Sequence, residues 1–413
     1  MTTSAESALD LDPMLDPVLG VVHKSVPPAL WGRRASEVAA ERHPVGAFAT
    51  PLLVLDRAAS DANVAALTAW AAERGMLLAP HGKTTMAPAL WRRLLDAGCW
   101  GLTLATPWQA QVARAAGVDR ILIANEIVDP VGAAWIAAEL DAHPELELAC
   151  WVDSIEGVAR LAATPGQRPI DVLVELGDAG GRAGARGAEA ALAVADAVAA
   201  TPRLRLRGVA GYEGSYGSDR EPSTVARVRG YLGSLAALAD AVLTAHDLDD
   251  PIVSAGGSTW FDVVAEEFAP LAGRARIVLR SGAFQAHDDV FYAQTAGLPL
   301  APALTVFARV ISRPEPGLAV LDAGKRDVPY DYDLPVVLGA ADGRALPGAR
   351  VTALNDQHAI VAVPTDAGPA VGDVVLLGIS HPCGAFDRWR LVPEVDDARG
   401  PDPRVVGFAA TVF

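Results

Sequence analysis

The stretch Met76-Leu77-Leu78-Ala79-Pro80-His81-Gly82-Lys83-Thr84-Thr85 decides how the chain folds. Its apolar first half predicts a buried strand, and a helical pattern runs from Ala87 to Ala97 directly afterwards. Lys83 therefore follows the C-terminal end of a strand, which is the end where an α/β barrel builds its active site. Burial disfavours the charged form of lysine, so Lys83 is either a solvated surface residue or a residue used in a neutral or covalent form.

Apolar runs and amphipathic helices alternate from this stretch to about residue 299, which is typical of parallel βα units. Eight such runs with short links favour a closed (β/α)8 TIM barrel, and a doubly wound open sheet is the alternative. The predicted strands are Met76–Ala79, Gly101–Ala105, Arg120–Ala124, Glu147–Val152, Asp171–Leu176, Leu206–Tyr212, Ile252–Ala255 and Arg276–Leu279.

The pattern changes after about residue 300. Short β-rich runs separated by Pro, Gly and Asp turns replace the helices, which predicts a C-terminal antiparallel β domain. We therefore divide the chain into an N-terminal extension (residues 1–49), a barrel (50–299) and a β domain (300–413).

Composition narrows the function classes. The 413 residues carry a net charge of −16, which argues against nucleic acid or an acidic membrane surface as a partner. No apolar run approaches the roughly 18 residues of a membrane span. The three cysteines form no disulfide framework, and the acidic N-terminus lacks the pattern of a signal peptide. These features predict a cytoplasmic protein, whereas the net charge says little about a small zwitterionic substrate.

A second informative stretch, Ser254-Ala255-Gly256-Gly257-Ser258-Thr259, ends the seventh predicted strand. Paired glycines let the backbone approach an anion closely, and hydroxyls at the start of a following helix add donors. A Gly-Gly pair is often merely a turn. Its place in the same layer as Lys83 favours a phosphate site.

The Lys83 segment and the Gly256-Gly257-Ser258 loop together resemble the D-serine dehydratase and D-threonine aldolase family. These are pyridoxal-phosphate enzymes with the alanine racemase fold. The resemblance implies that Lys83 holds pyridoxal 5'-phosphate covalently and acts as the catalytic residue. It also implies that the loop binds the phosphate, with Arg280 in a second segment close to it.

Two further residues become candidates for cofactor contacts. Arg182 lies in a Gly-rich turn that is similar to a family segment, although one residue fewer separates it from Gly180. Tyr212 follows the sixth predicted strand, where an aromatic ring can contact the pyridine ring or its nitrogen. Equally weighted alternatives are a solvated arginine and a core aromatic residue.

His381 and Cys383 are the predicted metal ligands. Side chains at i and i+2 of an extended segment project to the same side, and imidazole with thiolate suits zinc. The pair resembles the metal-binding His-x-Cys of D-serine dehydratases, whereas D-threonine aldolases usually have His-x-Asp there. This difference favours elimination over retro-aldol cleavage.

The resemblance therefore implies a pyridoxal-phosphate and zinc-dependent dehydratase of D-serine or a related 3-hydroxy-D-amino acid. D-Threonine aldolase-type cleavage is one alternative, and a non-catalytic pyridoxal-phosphate carrier is another. Such carriers usually lack a C-terminal β domain. The resemblance also implies a homodimer in which the β domain of one subunit completes the active site of the other.

Overall fold

The computed structural model describes residues 12–295, 297–364 and 368–413. Residues 1–11 of the predicted N-terminal extension lie outside the described residues. The rest of the extension carries two short helices, α1 (Asp12–Leu15) and α2 (Ala35–Ala40), and its apolar side chains join the core of the second domain. In the described part of the chain, no helix has the length and apolar character that a membrane crossing requires.

The chain forms two sheets. The first strand, β1 (Leu52–Asp56), belongs to the second sheet, and the next nine strands belong to the first. These nine are β2 (Leu77–Leu78), β3 (Leu102–Leu104), β4 (Arg120–Glu126), β5 (Glu147–Val152), β6 (Ile170–Gly177), β7 (Ala185–Arg186), β8 (Leu204–Gly211), β9 (Ile252–Ala255) and β10 (Arg276–Leu279).

The first sheet is the predicted barrel. Eight parallel strands lie in the order β2-β10-β9-β8-β6-β5-β4-β3, and the short β7 pairs with β6. Bonds from Trp100 N to Leu78 O (2.7 Å) and from Thr103 N to Pro80 O (2.9 Å) join the two end strands. The sheet is thus nearly closed, so the prediction of a barrel is confirmed and the open-sheet alternative is wrong.

Helices cover the outside of the barrel. Several begin where a side chain directly after a strand or loop caps the first turn: Asp56 accepts a bond from Ala59 N, and Asp129 accepts one from Gly132 N. The helices are α3 (Arg57–Ala72), α4 (Pro88–Asp96), α5 (Pro107–Ala115), α6 (Pro130–Ala142), α7 (Ile155–Ala162), α8 (Ala188–Ala199), α9 (Pro222–Ala245), α10 (Phe261–Phe268) and α11 (Phe291–Thr295).

Side chains fill the barrel interior, so the barrel has no pore. One large ring, that of Trp151, packs there with small and aliphatic residues, and it is almost fully buried. This layer fills the barrel interior. Among the described residues, the cavity that a ligand can enter lies at the C-terminal ends of the barrel strands. The other members of the layer are Ala79, Leu122, Ala149, Leu173, Ala210, Ile252 and Val278.

The second sheet is mostly antiparallel, as predicted, but it also takes a strand from the segment that we assigned to the barrel. Strand β1 pairs antiparallel with β11 (Leu304–Ser312) and parallel with β17 (Leu391–Val395). The remaining elements are β12 (Leu318–Leu321), β13 (Val336–Ala340), β14 (Arg350–Leu354), β15 (Ala359–Ala362), β16 (Val374–Gly378), α12 (Pro382–Phe386) and β18 (Val405–Ala410).

A cluster of ion pairs around a buried carboxylate connects the β domain to the barrel. Glu394 of β17 is 2% exposed, and its carboxylate accepts bonds from Arg57 Nε at 2.9 Å and Arg93 Nη2 at 2.7 Å. Because Arg57 begins α3 and Arg93 lies in α4, the cluster ties helices on both sides of the Lys83 segment to the second domain.

Candidate active site

One cavity of about 920 Å³ opens where the barrel strands end. Loops after the barrel strands and one segment of the β domain contribute its walls. All nine residues that the sequence singled out line this cavity, namely Lys83, Arg182, Tyr212, Gly256, Gly257, Ser258, Arg280, His381 and Cys383.

Lys83 lies in a single 3₁₀ turn, Gly82–Thr84, after β2. The Trp91 indole fixes this turn, because its Nε1 donates to Gly82 O at 3.1 Å and a Cβ on Gly82 would lie only 3.0 Å from the same nitrogen. The side chain lines the cavity and is exposed to it. Burial lowers the pKa of Lys83, the Cys383 thiolate opposes this shift, and the charges of Arg182 and Arg280 add to it.

His81 is a neutral imidazole next to this turn. Burial and the nearby positive charges of Lys83 and Arg280 hold its pKa well below the usual value. Its Nδ1 is buried and has no hydrogen-bond partner among the described residues. Gly282 touches the His81 backbone, since a Cβ there would lie 2.6 Å from His81 N. The eighth strand-end loop and the Lys83 loop are therefore in direct contact.

The Gly-rich loop after β9 has the tight backbone that the sequence suggested. Gly256 has a φ of +93°, and a Cβ at this position would lie 2.6 Å from Leu279 Cδ2. The amides of both glycines, however, donate to the carboxylate of Glu213, at 3.1 Å from Gly256 and 2.6 Å from Gly257. Ser258 Oγ lies on the cavity wall and accepts a bond from Ala283 N at 3.3 Å.

Arg280 lies at the base of the cavity with its guanidinium buried. Its Nη1 donates to Ser254 Oγ and its Nη2 to Gly211 O, both at 2.7 Å. Burial lowers the pKa of Arg280, and the negative charges of Glu213 and Glu175 counteract this. The arginine thus ties the ends of three neighbouring strands together beneath any ligand in the cavity.

Arg182 and Tyr212 meet at the mouth of the cavity. The Arg182 guanidinium carbon lies 4.5 Å from the centre of the Tyr212 ring, which is a cation–π contact. Tyr212 N donates to the Tyr231 hydroxyl at 3.0 Å, and that hydroxyl donates to Leu176 O at 2.7 Å. Burial raises the pKa of Tyr212, so its phenol stays protonated.

His381 and Cys383 do not lie in one extended segment, so the basis of that prediction is wrong. His381 is extended (φ −157°), but Pro382 starts helix α12 and Cys383 is its second residue. The two side chains nevertheless contact each other, and Cys383 Sγ lies 3.4 Å from Thr84 Oγ1. The pair therefore faces the Lys83 turn of its own chain, and the predicted homodimer stays a prediction.

The His381 and Cys383 side chains shift each other's pKa. Burial alone would lower the pKa of His381, but the Cys383 thiolate and Asp331 outweigh it and raise that pKa to about 9. Burial would raise the pKa of Cys383, but His381, Thr84 and Lys83 outweigh burial, so that this pKa is lowered. Asp331 Oδ2 lies 2.5 Å from His381 Nδ1. This contact orients the ring and leaves Nε2 as the nitrogen available to a metal.

The donor set fits a borderline-soft cation such as zinc. Imidazole nitrogen and thiolate are ligands that zinc prefers, and a carboxylate behind the histidine is a common supporting feature. Across residues 12–295, 297–364 and 368–413, no three His, Cys, Asp or Glu side chains form a group that could hold a metal. The described residues thus offer two ligands, and water or substrate would have to complete the coordination of a cation bound there.

A pair of carboxyl groups lies beside the cavity, and the sequence did not reveal its interaction. Glu126 ends β4 and hydrogen-bonds to Glu175 of β6. Burial, the Glu175 carboxylate and the charge of Asp153 raise the pKa of Glu126 to about 8. The pair therefore holds one proton at neutral pH.

Comparisons with known proteins agree with this architecture. The family model described as "Alanine racemase, N-terminal domain" matches residues 55–262, and that described as "Putative serine dehydratase domain" matches residues 303–395. A D-threonine aldolase from Arthrobacter sp. is 30% identical over 345 residues, which cover 82% of this chain and 86% of the aldolase.

Other relatives include both kinds of lyase. A D-threo-3-hydroxyaspartate dehydratase from Delftia sp. (strain HT23) is 26% identical over 378 residues, covering 85% of this chain and 91% of the dehydratase. The crystal structure of D-threonine aldolase from Filomicrobium marinum aligns with a TM-score of 0.76 at 26% identity, covering 90% of this chain and 97% of the aldolase.

Proposed function

Because the chain belongs to the D-serine dehydratase and D-threonine aldolase family of pyridoxal-phosphate-dependent lyases, we propose that it is a metal-dependent dehydratase of D-serine or a related 3-hydroxy-D-amino acid. The products are a 2-keto acid and ammonia. The chain is an enzyme of the lyase class, so the carrier alternative is wrong. D-Amino acids are the substrates of this family, and the proposal concerns which one is used, which metal assists and which bond breaks.

One observation carries the proposal: a thiolate and an imidazole face the same cavity as the lysine. Cys383 contacts Thr84, the residue next to Lys83, so a metal on the pair lies close to any substrate that reaches the Lys83 amine. Two similar solved structures are in line with this, because they are variants of a D-threo-3-hydroxyaspartate dehydratase that replace a histidine and a cysteine two positions later. The cysteine variant is described as the metal-free form.

The cavity fits pyridoxal 5'-phosphate. Its volume is about 920 Å³, Lys83 lines it, and so does His81, whose buried Nδ1 has no hydrogen-bond partner among the described residues. Pyridoxal phosphate, when bound, withdraws electrons from the substrate Cα and so makes its proton acidic. Lys83 is the residue that would hold it, and Ser258 lies at the phosphate loop.

The lysine also moves a proton. Its pKa is lowered, so a larger fraction of the amine is neutral and able to accept the Cα proton once substrate has displaced it. The Cα–H and Cβ–O bonds both break, the oxygen leaves as hydroxide, and water then replaces the nitrogen. D-Serine is thereby converted to pyruvate and ammonia.

His381 and Cys383 would hold the metal next to the substrate hydroxyl. A Lewis acid there stabilises the charge that develops on the departing oxygen. Asp331 fixes the imidazole, and Thr84 contacts the sulfur, so both ligands are held in place before substrate arrives.

The proposal is tested with D-serine and L-serine. The holoenzyme is expected to release pyruvate and ammonia in equal amounts from D-serine and none from L-serine, because Lys83 approaches the substrate from one face only. A coupled lactate dehydrogenase assay measures pyruvate. Pyruvate from both enantiomers at similar rates, or from neither, would contradict the proposal.

Retro-aldol cleavage is the second candidate, and the 30% identity to a D-threonine aldolase favours it. It would use the same cavity and metal pair, but it removes the proton of the hydroxyl and breaks Cα–Cβ. The same metal site could serve either reaction, and the resemblance of His381 and Cys383 to the His-x-Cys pair of D-serine dehydratases is the feature that favours elimination.

A further inference from the structure

The carboxylate of Glu213 lies behind the Gly-rich loop. Glu213 follows Tyr212 at the end of β8 and starts a 3₁₀ turn. Its two oxygens accept bonds from successive backbone amides, Oε2 from Gly256 N at 3.1 Å and Oε1 from Gly257 N at 2.6 Å. The side chain is 0% exposed, whereas Gly256, Gly257 and Ser258 line the cavity. The carboxylate therefore holds the loop from the side away from the ligand.

A buried carboxylate is costly unless charges and donors compensate for it. Here the two amides are donors, and the buried Arg280 supplies a compensating positive charge, since Glu213 has the largest charge effect among the groups that raise the pKa of that guanidinium. A side chain on Gly257 would lie 3.4 Å from Glu213 Oε1 and 3.0 Å from the Tyr212 ring. The loop, the carboxylate and the ring thus fit closely together.

We propose that Glu213 is a positioning residue for the phosphate of the cofactor, an inference that rests on the proposed placement of pyridoxal phosphate in this cavity. Glu213 accepts hydrogen bonds from the amides of Gly256 and Gly257 and thereby fixes the loop backbone in the arrangement that places Ser258 on the cavity wall. Ser258 Oγ already accepts a bond from Ala283 N of the next loop. The Ser258 hydroxyl is then already in place for the phosphate, which does not have to order the loop itself.

Removal of Glu213 changes cofactor affinity in opposite directions for a positioning role and for a purely electrostatic role. A carboxylate close to a phosphate repels it, so a residue that acted only through its charge would weaken cofactor binding. Its removal would then tighten binding. A residue that positions the loop has the opposite effect, because glutamine offers one oxygen acceptor and turns an NH2 group towards the second amide.

The test measures equilibrium binding of pyridoxal 5'-phosphate and of pyridoxal, which lacks the phosphate, to cofactor-free protein by visible absorption. Glu213→Gln is expected to bind pyridoxal phosphate about 10- to 100-fold more weakly, as for loss of a charge-assisted hydrogen bond, with pyridoxal affinity changed less than about threefold. Glu213→Asp keeps the charge but reaches one amide only, so it is expected to give a smaller loss for the phosphate form alone. Glu267→Gln, which removes a carboxylate of α10 that pairs with Arg229 Nη1 at 2.7 Å and does not line the cavity, is the matched control and is expected to keep the wild-type affinity ratio.

Unchanged or tighter binding of pyridoxal phosphate by Glu213→Gln would overturn the inference. Equal losses for both compounds in Glu213→Gln and Glu213→Asp would also overturn it, because they would indicate a general structural role. Failure of the wild-type protein to bind either compound would instead overturn the cofactor placement of the proposed function, and the role of Glu213 with it.

Discussion

Lys83→Ala is expected to abolish turnover of D-serine, with kcat reduced by at least about 1,000-fold, as for loss of a covalent catalytic group. The substitution removes both the covalent anchor of the cofactor and the amine that accepts the Cα proton. The variant is expected to fold normally, because the Lys83 side chain opens into the cavity and the Trp91–Gly82 contact holds the turn without it. Steady-state pyruvate release measures the effect.

The chain offers a sharp control, since it has only three lysines, Lys24, Lys83 and Lys325. Lys24 is paired with Asp327, and Lys325 lies over the Tyr330 ring, 5.4 Å from its centre. Lys325→Ala is therefore expected to keep wild-type activity. Borohydride reduction of the coloured protein should label Lys83 alone in a peptide map. A label on either of the other lysines would contradict the assignment.

Cys383→Ala is expected to lower D-serine dehydration by about 100-fold or more, because the metal that we propose to stabilise the departing oxygen would lose its thiolate ligand. Metal content per chain should fall in parallel, as measured by atomic absorption. The visible band of bound cofactor should remain, since the pair faces the substrate and not the phosphate loop. Asp331→Asn is expected to weaken metal binding by about 10- to 100-fold, because it disturbs the orientation of His381.

Cys99→Ala is the matched control for the thiol. Burial raises the pKa of Cys99 to about 12, so this thiol stays protonated and is no metal ligand. Chelation of the wild-type protein should reproduce the loss seen in Cys383→Ala, and added zinc should restore activity. Full activity in metal-free protein would show that the pair has no catalytic part.

The barrel could be predicted because its signal is repetitive: apolar strands and amphipathic helices alternate at short intervals. The position of β1 could not be predicted, since an apolar run such as Leu52–Asp56 indicates a strand but not the strands that it pairs with. Its partners, β11 and β17, lie some 250 residues or more further along the chain. Strand β13 (Val336–Ala340) has a weak sequence signal because Gly339, at a register shift, interrupts its pattern.

The location of the site could be predicted from the barrel, because residues at the C-terminal ends of parallel strands lie in one layer. That rule placed Lys83, the Gly256–Gly257 loop and Arg280 around one cavity, but it carries no information on the direction of side chains and amides. The bonds to Glu213 depend on how the loop turns, and Asp331 lies 50 residues before its partner His381. The helix at Cys383 was overlooked although Pro382 is a favoured first helical residue.

The most direct test of elimination is to offer D-threonine to the holoenzyme and to quantify all products in one reaction. Elimination predicts 2-oxobutanoate and ammonia in equal amounts, with no glycine, because the Cβ–O bond breaks and the Cα–Cβ bond stays intact. Glycine and acetaldehyde in equal amounts, without 2-oxobutanoate, would contradict the account and assign the enzyme to retro-aldol cleavage.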